Sequence, residues 1–210
     1  MSEADQRRPG NCFVALPLEG DALAAGGALL ETAAATVAGV RWVRPEGLHL
    51  TAHFFGRLAP AEQARVLALL GPVAAATPPL ELRLHGLGRF PQGGSARVLW
   101  MGLGDGAAGV GRLAAACRAI LGEAGFAIDT RPHRPHCTLG RPRRWSDAQR
   151  LAWEGLRPPA QPPWRVHRLL LLESQPQAGG SRYASRGELS LDLGGGPGFA
   201  HGDGKGGAEV

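Results

Sequence analysis

Apolar residues fall in short runs and in helically spaced stretches, and glycine or proline separates most of these segments. Short apolar or alternating runs are typical of strands, and they predict strands at residues 12–18, 41–43, 48–55, 80–84, 96–103, 136–141, 164–173 and 187–193. Apolar positions at helical spacing predict helices at residues 21–37, 60–75, 110–123 and 147–156. We expect the strands at 80–84 and 96–103 to pair as a hairpin across the turn at 91–94.

The predicted elements repeat when the sequence is compared with itself at an offset of 87 residues. The helical stretch 22–37 falls on residues 109–124, and the helix beginning at Pro60 falls on the one beginning at Asp147. Each half therefore contains a strand, a helix, a second strand and a second helix. Such a repeat indicates an internal duplication. Because two units are too few for a stacked solenoid, we interpret them as two lobes that close on each other.

The same tripeptide pattern, His-x-Thr, stands in the second strand of each half. It reads His-Leu-Thr at residues 49–51 and His-Cys-Thr at residues 136–138, which are 87 residues apart (136 − 49). Residues two apart in a strand point to the same face. Each motif is therefore expected to present an imidazole beside a hydroxyl, and two motifs facing one pocket would supply two of each.

These groups suit the hydrolysis of a phosphodiester without a metal ion. Histidine can act as a general acid or base because its pKa lies near the working pH, so His49 and His136 are the candidate catalytic residues. Hydroxyls from Thr51 and Thr138 can stabilise the charge that develops on the phosphate oxygens. Neither motif has a cluster of carboxylates beside it. A mechanism with two metal ions is therefore not supported, and we expect no metal and no cofactor.

Composition adds weaker constraints on the function. The formal net charge is +5, and Lys205 is the sole lysine, which fits planar phosphate contacts by arginine and equally a GC-rich genome. The three cysteines lack metal-ligand spacing, and we interpret them as reduced thiols in the cytoplasm. The chain has no apolar run of about 18 residues and no signal-peptide core, so we expect no membrane span.

Five segments of the sequence occur together in one known family. They are Phe13–Leu16, Trp42–Thr51, Phe54–Gly56, Arg134–Arg141 and Ser181–Tyr183. This set resembles the two-histidine (2H) phosphoesterase superfamily. Within that superfamily the chain is similar to the bacterial and archaeal RNA 2',3'-cyclic phosphodiesterases, formerly called 2'-5' RNA ligases. The similarity covers about residues 12–193 in the expected order.

The resemblance implies a bilobal α+β fold, with two antiparallel sheets lining a central cleft, helices outside and a pseudo-twofold relation between the halves. It implies metal-independent hydrolysis of RNA that ends in a 2',3'-cyclic phosphate, yielding a 2'-phosphate end. It also allows the reverse, ligating reaction on tRNA halves. We expect a monomer with a loose leader (1–10), one bilobal phosphoesterase domain (11–193) and a glycine-rich disordered tail (194–210).

Further residues are assigned around the motifs. Arg141 follows the second motif, and we interpret it as a phosphate ligand. Substrate contacts are predicted for His53, by strand alternation onto the motif face, for Phe54, by stacking on a base, and for Arg134, as part of an arginine patch. Surface or hydrogen-bonded roles are assigned to the other histidines, His85, His133, His167 and His201.

Two alternative functions stay open on the sequence. One is a phosphodiesterase for a small cyclic phosphate, of the nucleotide or ADP-ribose type. The other is an RNA-binding module without turnover, although a pure binder needs no matched imidazoles. For the hydrolytic reaction, we expect His49 to act as the acid and His136 as the base.

Overall fold

Strands and helices form an α+β fold in the predicted order, except that the predicted strands at 80–84 and 164–173 are each divided between two strands. The computed structural model describes residues 10–177 and 180–192, so the predicted leader (apart from Gly10) and tail lie outside the described residues. The strands are Asn11–Pro17 (β1), Val40–Trp42 (β2), His49–Arg57 (β3), Leu80–Leu82 (β4), Leu84–Phe90 (β5), Val98–Leu103 (β6), His136–Pro142 (β7), Trp164–Val166 (β8), Arg168–Gln177 (β9) and Gly180–Ser190 (β10). The helices are Gly20–Thr36 (α1), Pro60–Ala75 (α2), Ala107–Glu123 (α3) and Asp147–Gly155 (α4). None of the described helices is long and apolar enough to cross a membrane.

The 87-residue repeat is present in the positions of these elements. Helices α1 and α3 both contain 17 residues, and they begin and end 87 residues apart. Helices α2 and α4 begin 87 residues apart, as do strands β1 and β6 and the motif strands β3 and β7. The duplication is therefore confirmed at the level of the elements.

The motif strands lie in the middle of an eight-stranded sheet. Its hydrogen-bonded path is β10-β9-β1-β3-β7-β6-β5, with β2 also pairing with β7. In the described residues, β3 and β7 share the residue pair Leu50 and Cys137, and beyond it β2 becomes the neighbour of β7. The resemblance implied two antiparallel sheets lining a cleft, whereas the hydrogen-bonded path runs from one motif strand to the other through this pair. Both residues of the pair are fully buried in the core.

One face of the sheet is covered by helices, and the other carries the motifs. Cys12, Val14 and Leu16 of β1 join a core to which all four helices contribute. The alternate residues Phe13 and Ala15 point the other way and belong to a separate small cluster. The burial of β1 thus defines a helix face and an opposite face, and the motifs belong to the second.

Local hydrogen bonds fix the starts of the two helices that follow the motif strands. The Ser146 hydroxyl accepts a hydrogen bond from the backbone N–H of Gln149 (3.3 Å), and the Gln149 side chain accepts one from the N–H of Ser146 (2.9 Å). This capping box starts α4. Helix α2 starts at Pro60, whose fixed φ suits the first helical position, while Glu62 accepts from the N–H of Ala59.

The predicted pairing of residues 80–84 with residues 96–103 is wrong. Strand β6 pairs with β5, and β4 pairs with β8 in a small separate sheet. The alternating run is interrupted at Arg83, whose backbone N–H donates to the carbonyl of Asp105 while its carbonyl accepts from Gly104. The interruption frees the chain to change sheets, so the turn at 91–94 joins β5 to β6.

Leu50 offers a test of how strongly the central pair supports the fold. Its side chain is fully buried, so Leu50→Ala should lower the free energy of unfolding by about 2–5 kcal/mol through lost burial and cavity formation. Leu151→Ala is the matched control, because Leu151 is 62% exposed and should change stability by only about 0.5 kcal/mol. Urea denaturation of both variants measures the difference. Equal losses would contradict a central role for Leu50.

Candidate active site

The two His-x-Thr motifs lie side by side, paired at their middle residues. Leu50 pairs with Cys137 in antiparallel strands, and in this register each histidine lies opposite the threonine of the other motif. Both middle residues are fully buried in the core, so alternation turns the polar side chains to the opposite face. Cross-strand neighbours of this kind have Cβ atoms about 4.5–5.5 Å apart. The structure thus brings together a motif quartet, defined as His49, Thr51, His136 and Thr138.

Both imidazoles are held by a backbone carbonyl two residues earlier. His49 Nδ1 lies 2.7 Å from the carbonyl oxygen of Gly47, and His136 Nδ1 lies 2.7 Å from that of Arg134. A carbonyl can only accept, so each Nδ1 carries the proton and donates it. In the neutral ring, Nε2 is then the unprotonated atom. Each histidine is therefore fixed in the tautomer whose Nε2 can take up a proton.

Aromatic rings enclose His49. Phe13 stacks on the imidazole with ring centroids 4.8 Å apart, and Tyr183 lies edge-on at 5.1 Å. Tyr183 can approach because Gly47 has no side chain, since a Cβ there would lie 3.0 Å from the tyrosine ring. The rings and the carbonyl bond together hold the imidazole in one orientation.

The surroundings of His136 repeat this arrangement. Trp100, which stands 87 residues after Phe13, has its ring centroid 6.1 Å from the imidazole, and Phe90 lies edge-on at 5.1 Å. Gly88 leaves room for the indole, because a Cβ there would lie 2.2 Å from it. Trp100 and Phe90 were not among the site residues predicted from the sequence, although position 100 follows from Phe13 by the 87-residue offset.

Burial and neighbouring charges favour the neutral form of both imidazoles. Burial lowers the pKa of His49, and the charge of His136 lowers it further. Burial also lowers the pKa of His136, with smaller effects in the same direction from His133 and Arg141. The hydrogen bonds to the backbone carbonyls oppose these shifts without overcoming them. Both rings are therefore mainly neutral at pH 7.

Arg141 is an exposed cation within electrostatic reach of both histidine environments. Its charge lowers the pKa of His136. It also lowers the pKa of Tyr183, which burial raises more strongly, and Tyr183 is in contact with His49. A guanidinium in this position is placed to form charge-assisted hydrogen bonds with an anion bound over the quartet.

His53 does not share the motif face, so that prediction is wrong. The neighbouring residues Val14 and Ala15 of β1 pair with His53 and Thr51 of β3. Ala52 is therefore an extra residue in β3, which forms a β-bulge. Such a bulge shifts the alternation by one residue. His53 consequently turns to the helix face, where it is 4% exposed and its ring lies 4.6 Å from that of Phe55.

The second motif strand has the same irregularity 87 residues later. One step along β6 corresponds to two residues of β7, from Thr138 to Gly140, which leaves Leu139 as the extra residue. Gly140 is the counterpart of His53, and a Cβ there would lie 2.6 Å from the Trp42 ring. The bulge belongs to the duplicated unit, and it ends strict alternation just after each motif.

Phe54 and Arg134, the other predicted substrate contacts, are exposed near the quartet. Phe54 pairs with Phe13 across β1 and β3 and is 56% exposed, so it lies on the motif face with its ring open to solvent. The side chain of Arg134 is exposed, and its carbonyl is the acceptor for His136. Both side chains are accessible to a substrate bound at the quartet.

A third histidine contacts the site. Nε2 of His133 lies 2.9 Å from the carbonyl oxygen of Thr51, and His133 is one of the charges that act on His136. Its assignment from sequence as a surface or hydrogen-bonded residue did not place it here, because only the pairing of β3 with β7 brings residue 133 to residue 51. Even with this histidine, no three His, Cys, Asp or Glu residues within 10–177 and 180–192 are grouped to hold a metal ion.

The sequence model of the 2'-5' RNA ligase superfamily matches residues 28–177, more than half of the chain and inclusive of both motifs. The chain belongs to the 2'-5' RNA ligase superfamily. This agrees with the resemblance carried by the motif segments. In this chain, the two motifs matched by the superfamily lie in the paired strands β3 and β7.

Two curated proteins are similar to the chain over half or more of its length. An RNA 2',3'-cyclic phosphodiesterase of Geobacillus stearothermophilus is 31% identical over 145 residues, which cover 69% of this chain and 45% of that protein. One from Archaeoglobus fulgidus is 35% identical over 108 residues, which cover 51% of this chain and 59% of that protein. The chain therefore spans about half the length of these curated relatives.

Solved structures share the fold of the chain. A protein of Thermus thermophilus aligns with a TM-score of 0.71 and 28% identity, covering 89% of this chain and 100% of that one. E. coli LigT complexed with 3'-AMP aligns with a TM-score of 0.71 and 24% identity, covering 88% and 99%. At that identity, the likeness to LigT establishes a common fold.

NMR titration of the two imidazoles tests the electrostatics of the site. Both midpoints should lie below the ordinary histidine value of about 6.5, and His136→Gln should raise the pKa of His49 by removing a like charge. Because both pKa values are lower in the folded chain than in the unfolded chain, the unfolded chain binds protons first as pH falls. The free energy of unfolding should therefore decrease as the pH is lowered through about 6.5. Native midpoints at or above that value would contradict the account.

Proposed function

We propose that the protein hydrolyses RNA ends carrying a 2',3'-cyclic phosphate to 2'-phosphate ends, using His49 and His136 as a general acid–base pair. The observation that carries this proposal is the common orientation of the two imidazoles. Each Nδ1 donates to a backbone carbonyl. Both Nε2 atoms are therefore available for proton transfer, and the hydroxyls of Thr51 and Thr138 lie beside them. The names of the curated relatives support the class of substrate.

The reaction needs one neutral and one protonated imidazole. Water attacks phosphorus in line with the bond to O3', and the neutral Nε2 takes a proton from the water as the new P–O bond forms. The protonated Nε2 of the other imidazole gives its proton to O3' as the P–O3' bond breaks. The phosphate stays on O2'. Proton exchange with solvent then returns both rings to their starting forms.

The other site residues act on the phosphate and set the roles of the histidines. Hydroxyls of Thr51 and Thr138 donate to the non-bridging oxygens, and Arg141 offsets their charge. We assign His136 as the base, because Arg141 and His133 both oppose its protonation, and His49 as the acid. Phe54 and Arg134 are assigned to the adjoining nucleotides, through stacking and phosphate contact.

The same groups acting in reverse would join RNA ends. A 5'-hydroxyl in place of water would attack the cyclic phosphate and give a 2'-5' linkage, with tRNA halves as candidate substrates. We propose that the protein acts as a monomer in the cytoplasm, in the domain formed by residues 11–193. The three cysteines are unpaired thiols, as is usual in a reducing compartment.

Turnover without metal is the first expected outcome. With 10 mM EDTA and a nucleoside 2',3'-cyclic phosphate, turnover should continue and the product should carry a 2'-phosphate. His49→Ala and His136→Ala should each reduce kcat by roughly 10²–10⁴-fold, since each removes a positioned proton donor or acceptor. Steady-state kinetics with product analysis by NMR measures both effects.

The control for these variants is His167→Ala, because His167 is exposed and lies in the chain between β8 and β9. It should keep wild-type turnover. Loss of wild-type activity in EDTA that Mn²⁺ or Zn²⁺ restores would refute the metal-free mechanism. Near-wild-type turnover by either site variant would remove that histidine from the mechanism.

Arginine variants distinguish an RNA substrate from a small cyclic phosphate. Arg141→Ala should lower kcat/KM for both substrates, because it acts at the reacting phosphate. Arg143→Ala and Arg144→Ala, at exposed positions, should lower it only for an RNA oligonucleotide. The RNA reaction should also weaken more steeply with salt, since each phosphate contact releases counterions. The measurement is kcat/KM for both substrates from 50 to 300 mM salt.

Arg165→Ala is the matched control, because Arg165 is an exposed arginine in the separate β4–β8 sheet. It should leave both reactions unchanged. Equal, shallow salt slopes with the small substrate preferred would favour the small-molecule alternative. RNA binding with no turnover of either substrate would favour the non-catalytic binding module.

A further inference from the structure

The segment that leads into the second motif is attached to the first motif by the ring of His133. Residues 126–135 contain no helix or strand, and side chains hold this segment in place, including that of Arg118, which donates to the carbonyls of Asp129 and Arg131. Its His133 Nε2 lies 2.9 Å from the carbonyl oxygen of Thr51. Within the strands themselves, the described residues of β3 and β7 pair at Leu50 and Cys137. The imidazole therefore adds a second link between the two motifs.

The hydrogen bond determines the tautomer of His133. The carbonyl of Thr51 can only accept, so Nε2 carries the proton and Nδ1 of the neutral ring is unprotonated. Nδ1 is buried and has no hydrogen-bond partner among the described residues.

The link is not part of the duplicated architecture. The position equivalent to His133 in the first half, 87 residues earlier, is Glu46. An ionised carboxylate has no proton to donate to a carbonyl, so Glu46 cannot form the same contact. The duplication accounts for the two motifs, their carbonyl acceptors and their bulges, but not for His133.

The contact bears on the spacing between two reacting groups. Thr51 lies opposite His136 in the register set by the central pair. A shift of the segment before β7 relative to β3 would therefore change the distance between the hydroxyl of Thr51 and the imidazole of His136. A misplacement of about 1 Å can cost roughly 100-fold in rate.

We propose that His133 is a positioning residue that holds His136 and Thr51 at their working distance by donating a hydrogen bond to the Thr51 carbonyl. The proposal rests on the proposed function of the quartet. His133 transfers no proton to the substrate in this role. The charge of His133, like that of Arg141, lowers the pKa of His136. This effect is consistent with a short distance between the rings of His133 and His136.

Two variants separate the hydrogen bond from the shape of the ring. His133→Gln keeps an N–H donor at about the reach of Nε2, whereas His133→Phe keeps a planar ring and removes the donor. We expect kcat on a nucleoside 2',3'-cyclic phosphate to fall roughly 10- to 100-fold in His133→Phe with KM nearly unchanged. His133→Gln should stay within about threefold of wild type. His85→Gln, at an exposed position in β5, is the control and should match wild type.

NMR gives a readout that does not depend on turnover. The carbonyl carbon shift of Thr51 reports the hydrogen bond, so it should change in His133→Phe and stay near the wild-type value in His133→Gln. The pKa of His136 should rise in both variants, because both remove a neighbouring charge. If the wild-type protein has no turnover, the proposed function fails, and these two NMR measurements still decide the role of His133.

Three results would overturn the proposal. The first is wild-type kcat in His133→Phe. The second is an equal loss of kcat and of melting temperature in the Phe and Gln variants, which would indicate packing alone. The third is a carbonyl shift of Thr51 that is the same in all variants. A loss of kcat confined to His133→Phe, with the carbonyl shift changed, supports it.

Discussion

The antiparallel pairing of Leu50 with Cys137 is the contact on which the candidate site depends. Both residues are fully buried, so the core fixes which face of each motif strand is polar. A slip of one residue would turn one histidine and one threonine into the core. With the pair in place, each histidine lies opposite the threonine of the other motif. Two copies of a tripeptide thereby form one site with a local twofold relation.

The surroundings of the histidines affect how the proposed acid–base mechanism could operate. Aromatic rings and burial keep both imidazoles mainly neutral, but acid–base catalysis needs one of them charged. An anionic phosphate bound beside the rings would raise their pKa values by direct attraction. Both imidazoles are thus mainly neutral at pH 7 before an anion binds, and in the proposed mechanism the charge of the bound phosphate would allow one ring to hold a proton. Arg141 limits this effect at His136 more than at His49.

The sequence predicted the repeat and the motifs, because both depend on spacing along the chain. Helix boundaries 87 residues apart and the common face of His49 and Thr51 follow from periodicity alone. The orientation of His53 did not follow, because the bulge at Ala52 is a property of pairing with β1. Trp100 and His133 join the site through contacts between parts of the chain that are distant in sequence. The change of sheet at Arg83 depends on its backbone hydrogen bonds with Asp105 and Gly104, which residue types do not reveal.

The central claim is that both imidazoles act on one phosphate. A crystal structure of the protein with a nucleoside 2'-phosphate, the expected product, tests it most directly. The account predicts one phosphate whose oxygens lie about 2.6–3.2 Å from Nε2 of both His49 and His136, with each Nδ1 still bonded to its backbone carbonyl. A phosphate bound elsewhere, or one reached by a single imidazole while the other points away, would contradict it.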